Sequence, residues 1–154
     1  MNKARKVEFN KTYEFMIKDV SFGDLTLEEV YTVLKDGRVA SHFLERQLAK
    51  WFPQLTHITG NKAWDHLDET GAKYDAKNFT STGLKFMPSG MLGKGRKYCP
   101  VACRKKIKEN RLSYIMCDIV EFPKIRVKFS DGLELLQEYP RASIPKSHRE
   151  VIFG

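Results

Sequence analysis

The chain has 154 residues, 27 of them basic and 19 acidic, for a formal net charge of +8. That length suits one domain of about 100–150 residues, and a 42% hydrophobic fraction excludes wholesale disorder. No apolar run approaches the ~20 residues of a membrane span. The basic start lacks the apolar stretch of a secretory signal, and three cysteines make no disulfide framework, so a cytoplasmic setting is expected.

In chain order, the segments VEF (7–9) and TYEFMIKDV (12–20) each read as a strand or N-terminal arm. Thr26 followed by Glu29 is a capping box, in which hydroxyl and carboxylate satisfy each other's backbone N–H. Leu27, Val30, Tyr31 and Leu34 then recur at helical spacing, and Gly37 is the expected stop. A second helix is predicted from near Val39 to Phe52, ended by Pro53. A short strand, 55–59, leads into a turn-rich connection, 60–71. Residues 72–80 alternate: Ala72, Tyr74 and Ala76 share one face, and Lys73, Asp75 and Lys77 the other. A Gly-rich loop (88–100) precedes a basic helix (101–110). SYIMCDIV (113–120) reads as a buried strand, hairpinned through Pro123 to KIRVKFS (124–130). DGLELLQEY reads as a third strand or a short helix, and the tail mixes loop and helix signals. The fold class is mixed α/β or α+β, one domain over 1–154 with its core in 38–130 and further C-terminal elements in 131–154.

The strongest chemical signal lies between Asp65 and Lys77. Asp75 and Lys77, two apart on a strand, share a face with Cα atoms roughly 6.5–7 Å apart. A strand–turn–strand through Gly71 returns Asp65 beside Asp75. Paired carboxylates repel, and a divalent cation between them relieves that repulsion. A lysine on the same face supplies positive charge where phosphoryl chemistry develops negative charge. Asp68 and Glu69 lie in the same turn, but closer in sequence to Asp75, and rank below Asp65.

An acid, a gap of about ten, then acid-x-Lys, here WDHLDETGAKYDAK, resembles the PD-(D/E)xK nuclease family, which includes type II restriction endonucleases and some homing endonucleases. Asp65 matches the first acid, Asp75 the second and Lys77 the lysine; Trp64 stands where the motif name has proline. The family core places a helix before a strand meander, as 39–52 precedes 55–59 and 72–80 here. The resemblance implies a restriction-endonuclease-like core: a central mixed β-sheet flanked by helices. It implies Mg²⁺ held by Asp65, Asp75 and the Ala76 carbonyl, with Mn²⁺ substituting. Glu45, on the preceding helix, would complete the site. The expected substrate is double-stranded DNA. The expected assembly is a homodimer or higher oligomer, because cutting two strands calls for two sites, in a bacterial or phage-encoded intracellular protein.

The charge excess is local. Residues 81–112 carry nine basic side chains and one acidic; the rest of the chain is close to balanced. A focused patch of this kind suits nucleic acid. Lys85 and the loop residues Lys94, Arg96 and Lys97 are the expected phosphate contacts, together with Arg104, Lys105 and Lys108 on one face of the basic helix. The loop is not a Walker loop, since no G-K-[ST] follows. Cys99, Cys103 and Cys117 lack a suitably spaced fourth zinc ligand. His42 shares a helix face with Glu45 as a weak supporting candidate, and Trp51, Phe52 and Trp64 read as core or core edge. The expected function is a Mg²⁺-dependent, sequence-specific endonuclease. A junction resolvase, or a non-catalytic DNA-binding protein using 81–112, is the alternative.

Overall fold

A computed structural model describes residues 5–60, 64–92 and 95–154. The capping box forms as expected. The Glu29 N–H donates to Thr26 Oγ1 at 3.1 Å, the Thr26 N–H donates to Glu29 Oε1 at 2.9 Å, and helix α1 (Leu27–Leu34) follows. Gly37 does not stop that helix. The chain leaves α1 at Lys35, and Asp36 caps a new helix, α2 (Gly37–Trp51), by accepting from the Arg38 N–H at 2.9 Å. An aspartate at an N-cap outweighs the stop signal of the glycine behind it.

Six strands form one mixed sheet. They are β1 (Thr12–Met16), β2 (Thr56–His57), β3 (His66–Leu67), β4 (Lys73–Phe79), β6 (Leu112–Asp118) and β7 (Lys124–Asp131), in the order β1-β7-β6-β4-β3-β2. β4 and β6 run parallel, with Lys73 paired to Leu112 and Phe79 to Asp118; the other neighbours are antiparallel. A parallel pair needs a crossover. Here it passes through β5 (Leu84–Lys85) and helix α3 (Pro100–Asn110). The 7–9 segment is not a strand: Phe9 makes only an isolated bridge to Phe129. The 55–59 strand shortens to two residues, and DGLELLQEY resolves as helix α4 (Gly132–Glu138) capped by Asp131. The tail forms β8 (Ser143–Ile144), paired to β5, and helix α5 (Arg149–Phe153).

Helices cover both faces of the sheet. On one face α1 and α2 bury Val30, Leu34, Leu44, Leu48 and Trp51 against Tyr13, Phe15, Ile115 and Val127. Phe15 stacks on Trp51 at 4.1 Å, and Tyr13 meets Phe52 edge-on at 5.0 Å. On the other, α3, α4 and α5 bury Ile107, Leu135 and Phe153 against Tyr114, Met116 and Phe79. All seven residues of β6 are buried, because a strand covered on both faces loses the usual alternation. Among the described residues no helix is long and apolar enough to cross a membrane.

Candidate active site

β4 carries the site. Tyr74 turns into the α1/α2 core, which leaves Asp75 and Lys77 on the opposite face of the strand. That face is not open to solvent: the Asp75 and Lys77 side chains are only 18% and 22% exposed, and their charged ends pair at 3.1 Å.

The β3–β4 turn sets the position of Asp65. Gly71 adopts φ +85°, a conformation open to glycine. Asp68 holds the turn by accepting from the Thr70 and Ala72 N–H groups, at 2.8 and 3.0 Å, and from the Tyr74 hydroxyl at 2.9 Å. Asp68 is therefore committed to the turn, while Asp65 is free to face β4. The Asp65 backbone bridges two strands: its N–H donates to the Tyr74 carbonyl at 2.8 Å, and its carbonyl accepts from the Ile58 N–H at 2.7 Å. Its carboxylate accepts from the Ala76 N–H at 2.9 Å. Backbone and side chain of Asp65 thus contact β4 on either side of Asp75. The Ala76 N–H faces the edge of β4 left uncovered where β3 ends, and in an extended strand the carbonyl of the same residue faces that edge too.

The electrostatics are those of crowded acids. Burial pushes the Asp75 carboxyl up to about 7; Lys77 pulls it back, and the neighbouring Asp65 pushes it further up. Burial also raises Asp65, opposed by Asp75 and the Ala76 N–H and reinforced by the carboxylate of Glu45. Glu45 of α2 thus lies beside Asp65. Its backbone is anchored there: His66 Nε2 donates to the Glu45 carbonyl. Burial pushes the His66 imidazole pKa down, and its Nδ1 is buried without a hydrogen-bond partner.

Asp75 gives the metal-free protein a pH-dependent stability. Between about pH 4 and 7 the folded state retains a proton that the unfolded chain has released, so stability falls as pH rises through that window and levels off above it. Urea denaturation in EDTA is expected to show a loss on the order of a few kcal/mol from pH 4 to pH 8. Asp75→Asn should flatten that part of the profile. Equal slopes in the two proteins would show that Asp75 titrates normally.

Among the described residues no group of three or more His, Cys, Asp or Glu side chains is gathered closely enough to hold a metal ion by itself. Two carboxylates and one carbonyl nevertheless suit Mg²⁺, which keeps several waters and takes one or two carboxylates plus substrate oxygens. Burial raises the carboxyls of both Asp65 and Asp75, and a divalent cation beside them would favour their charged forms.

The basic residues fall in different places. Lys94 lies outside the described residues. Arg96 and Lys97 are exposed on the loop before α3, with Arg96 donating to the Ser89 carbonyl at 3.3 Å. Arg104, Lys105 and Lys108 are exposed on α3; Lys105 is paired with Glu109 at 3.8 Å, and Arg104 lines a depression that also holds Glu134. Lys85 borders a cleft of about 530 Å³ whose wall includes Ala76 and Lys77. Three groups at or beside the site went unread in the sequence: His66, and Lys35 and Arg38 at the start of α2. His66 directly follows Asp65, which was its one local signal. His42 is exposed, and its carbonyl accepts from Arg46. Cys103 and Cys117 are buried and Cys99 exposed, all three as free thiols.

No protein-family model, curated protein or solved structure matches this chain.

Proposed function

We propose that the protein is a Mg²⁺-dependent endonuclease of double-stranded DNA, of the PD-(D/E)xK type. One observation carries this reading: Asp65 is bound to β4 through the Ala76 N–H, next to a partly buried Asp75 that pairs with Lys77. The order of elements supports it, with α2 and its Glu45 preceding the strands β2, β3 and β4 in a mixed sheet flanked by helices.

In this reading Asp65, Asp75 and the Ala76 carbonyl would hold the cation, with Glu45 in support beside Asp65. Bound Mg²⁺ supplies charge that polarises the scissile phosphate and lowers the pKa of a water. Asp75 must give up its proton before it can act as a ligand, so metal affinity rises with pH up to about 7. Lys77, mostly buried and held by Asp75, points a fixed ammonium at the phosphoryl oxygens as their charge grows, and orients the attacking water. Two copies of the chain supply the two sites that a double-strand cut needs.

Incubation of plasmid with the protein is expected to give discrete fragments with Mg²⁺ or Mn²⁺ and none with EDTA. A smear would indicate cutting without sequence preference. Failure to cut plasmid, genomic DNA or four-way junctions, with binding intact, would make the protein a binding module.

A further inference from the structure

We propose that the cleft between the N-terminal end of α2 and β4 seats the phosphodiester backbone beside the cut, with Lys35, Arg38 and Lys85 as its phosphate contacts. This assignment rests on the endonuclease reading and adds Lys35 and Arg38 to the path of the DNA, for which the sequence offered Lys85, the 94–97 loop and α3.

The cleft is a feature of the tertiary fold. Asn78, near the end of β4, donates to the Gly37 carbonyl at 2.9 Å and to Ser41 Oγ at 3.1 Å, so the end of β4 is fastened to the first turn of α2. The hairpin from β4 to β5 then brings Lys85 to the same opening. Among the described residues four cations line it, Lys35, Arg38, Lys77 and Lys85, against a single carboxylate, Asp36. Asp36 is already engaged, capping α2 and touching Arg38 at 3.4 Å. Lys77 is matched by Asp75 below it. Among the described residues neither Lys35 nor Lys85 has an ionic partner, so both present uncompensated charge to an open cleft. That arrangement attracts a polyanion.

Position favours the same occupant. Ala76 and Lys77 form part of the wall, so a strand lying in the cleft passes the edge of β4 where Asp65 binds. Lys85 also borders an adjoining depression with Arg141 and Tyr98, which continues the basic track away from the site. The face of α3 is a poorer seat, because Glu109 and Glu134 lie beside Lys105 and Arg104.

The test is the salt dependence of binding to a labelled random-sequence duplex, read by fluorescence anisotropy with EDTA and again with Mg²⁺. Each lost phosphate contact should flatten the slope of log affinity against log salt by about 0.9. The triple variant Lys35→Ala, Arg38→Ala, Lys85→Ala is expected to flatten it by roughly 2–3 and to weaken binding about tenfold or more at moderate salt. Arg104→Ala, Lys105→Ala, Lys108→Ala should leave the slope close to wild type. All six side chains are exposed, so both variants should melt like the parent, and melting curves check this. A larger or equal flattening in the α3 variant overturns the assigned path while leaving the endonuclease reading standing. If the wild-type chain does not bind duplex in either buffer, both proposals fail.

Discussion

Asp75→Asn and Lys77→Ala are each expected to slow plasmid cleavage by at least ~10²–10³-fold while duplex binding survives. Asparagine keeps the size of Asp75 but removes the charge that faces Lys77 at 3.1 Å and that a cation would need. Removing the lysine acts twice. It takes away the ammonium proposed to meet the phosphoryl oxygens, and it leaves a partly buried Asp75 without the lysine that pulls its carboxyl down. Lys77→Arg should restore little, because a planar guanidinium does not place its charge where a compact ammonium does. Glu69→Ala is the control: this acid lies in the same turn, is exposed, and should cut like the parent. Near wild-type rates for Asp75→Asn and Lys77→Ala would remove the site from β4. The measurement is initial cleavage rate beside affinity for an uncut duplex, so that chemistry and binding are read separately.

Asp118→Ala should cost about 3–5 kcal/mol of stability, the range for breaking a buried ion pair from one side. Asp118 is 1% exposed at the end of β6. Its carboxylate accepts from Arg126 of β7 and Arg149 of α5, at 3.0 and 2.9 Å, and from the Val120 N–H at 3.1 Å. Each arginine reaches outward to a second acid, Arg126 to Glu150 and Arg149 to Glu121, both at 2.7 Å. Removing the central aspartate takes the buried partner from two partly buried guanidiniums and cuts the Arg149 link between α5 and β6. Removing an outer acid does neither. Glu150 is 68% exposed, and Glu150→Ala should cost no more than about 1 kcal/mol. Urea denaturation of the two variants separates the cases, and similar losses would show that the network is not centred on Asp118. Against a total of about 5–15 kcal/mol, the larger loss brings the fold close to its limit.

Short-range chemistry was legible in the residues alone. Thr26 and Glu29 announce their helix because both partners lie within one turn. The alternation of 72–80 puts Tyr74 on one face and Asp75 and Lys77 on the other, because a strand's period is two residues and needs no knowledge of its neighbours. Asp131 and α4 were half legible, since DGLELLQEY satisfies a strand and a helix about equally. Gly37 misled because the residue before it caps a helix, and a glycine is also tolerated where a helix begins.

Pattern along the chain assigns a side chain to a face, but not to its neighbours across space. β3 is two residues long, too short to show any period, yet its pairing with β4 places Asp65 on the Ala76 N–H. The Asn78 contact to Gly37 spans 41 positions and closes a cleft in which Lys35, Arg38 and Lys85 meet, though no local signal joins them. The net charge of +8 lies in residues 81–112 when counted by sequence. Folding changes its meaning, because nearby carboxylates offset part of α3 while the uncompensated lysines Lys35 and Lys85 gather beside Lys77. Composition and periodicity are properties of neighbours in the chain; a site is a property of neighbours in space, and long-range pairing creates those.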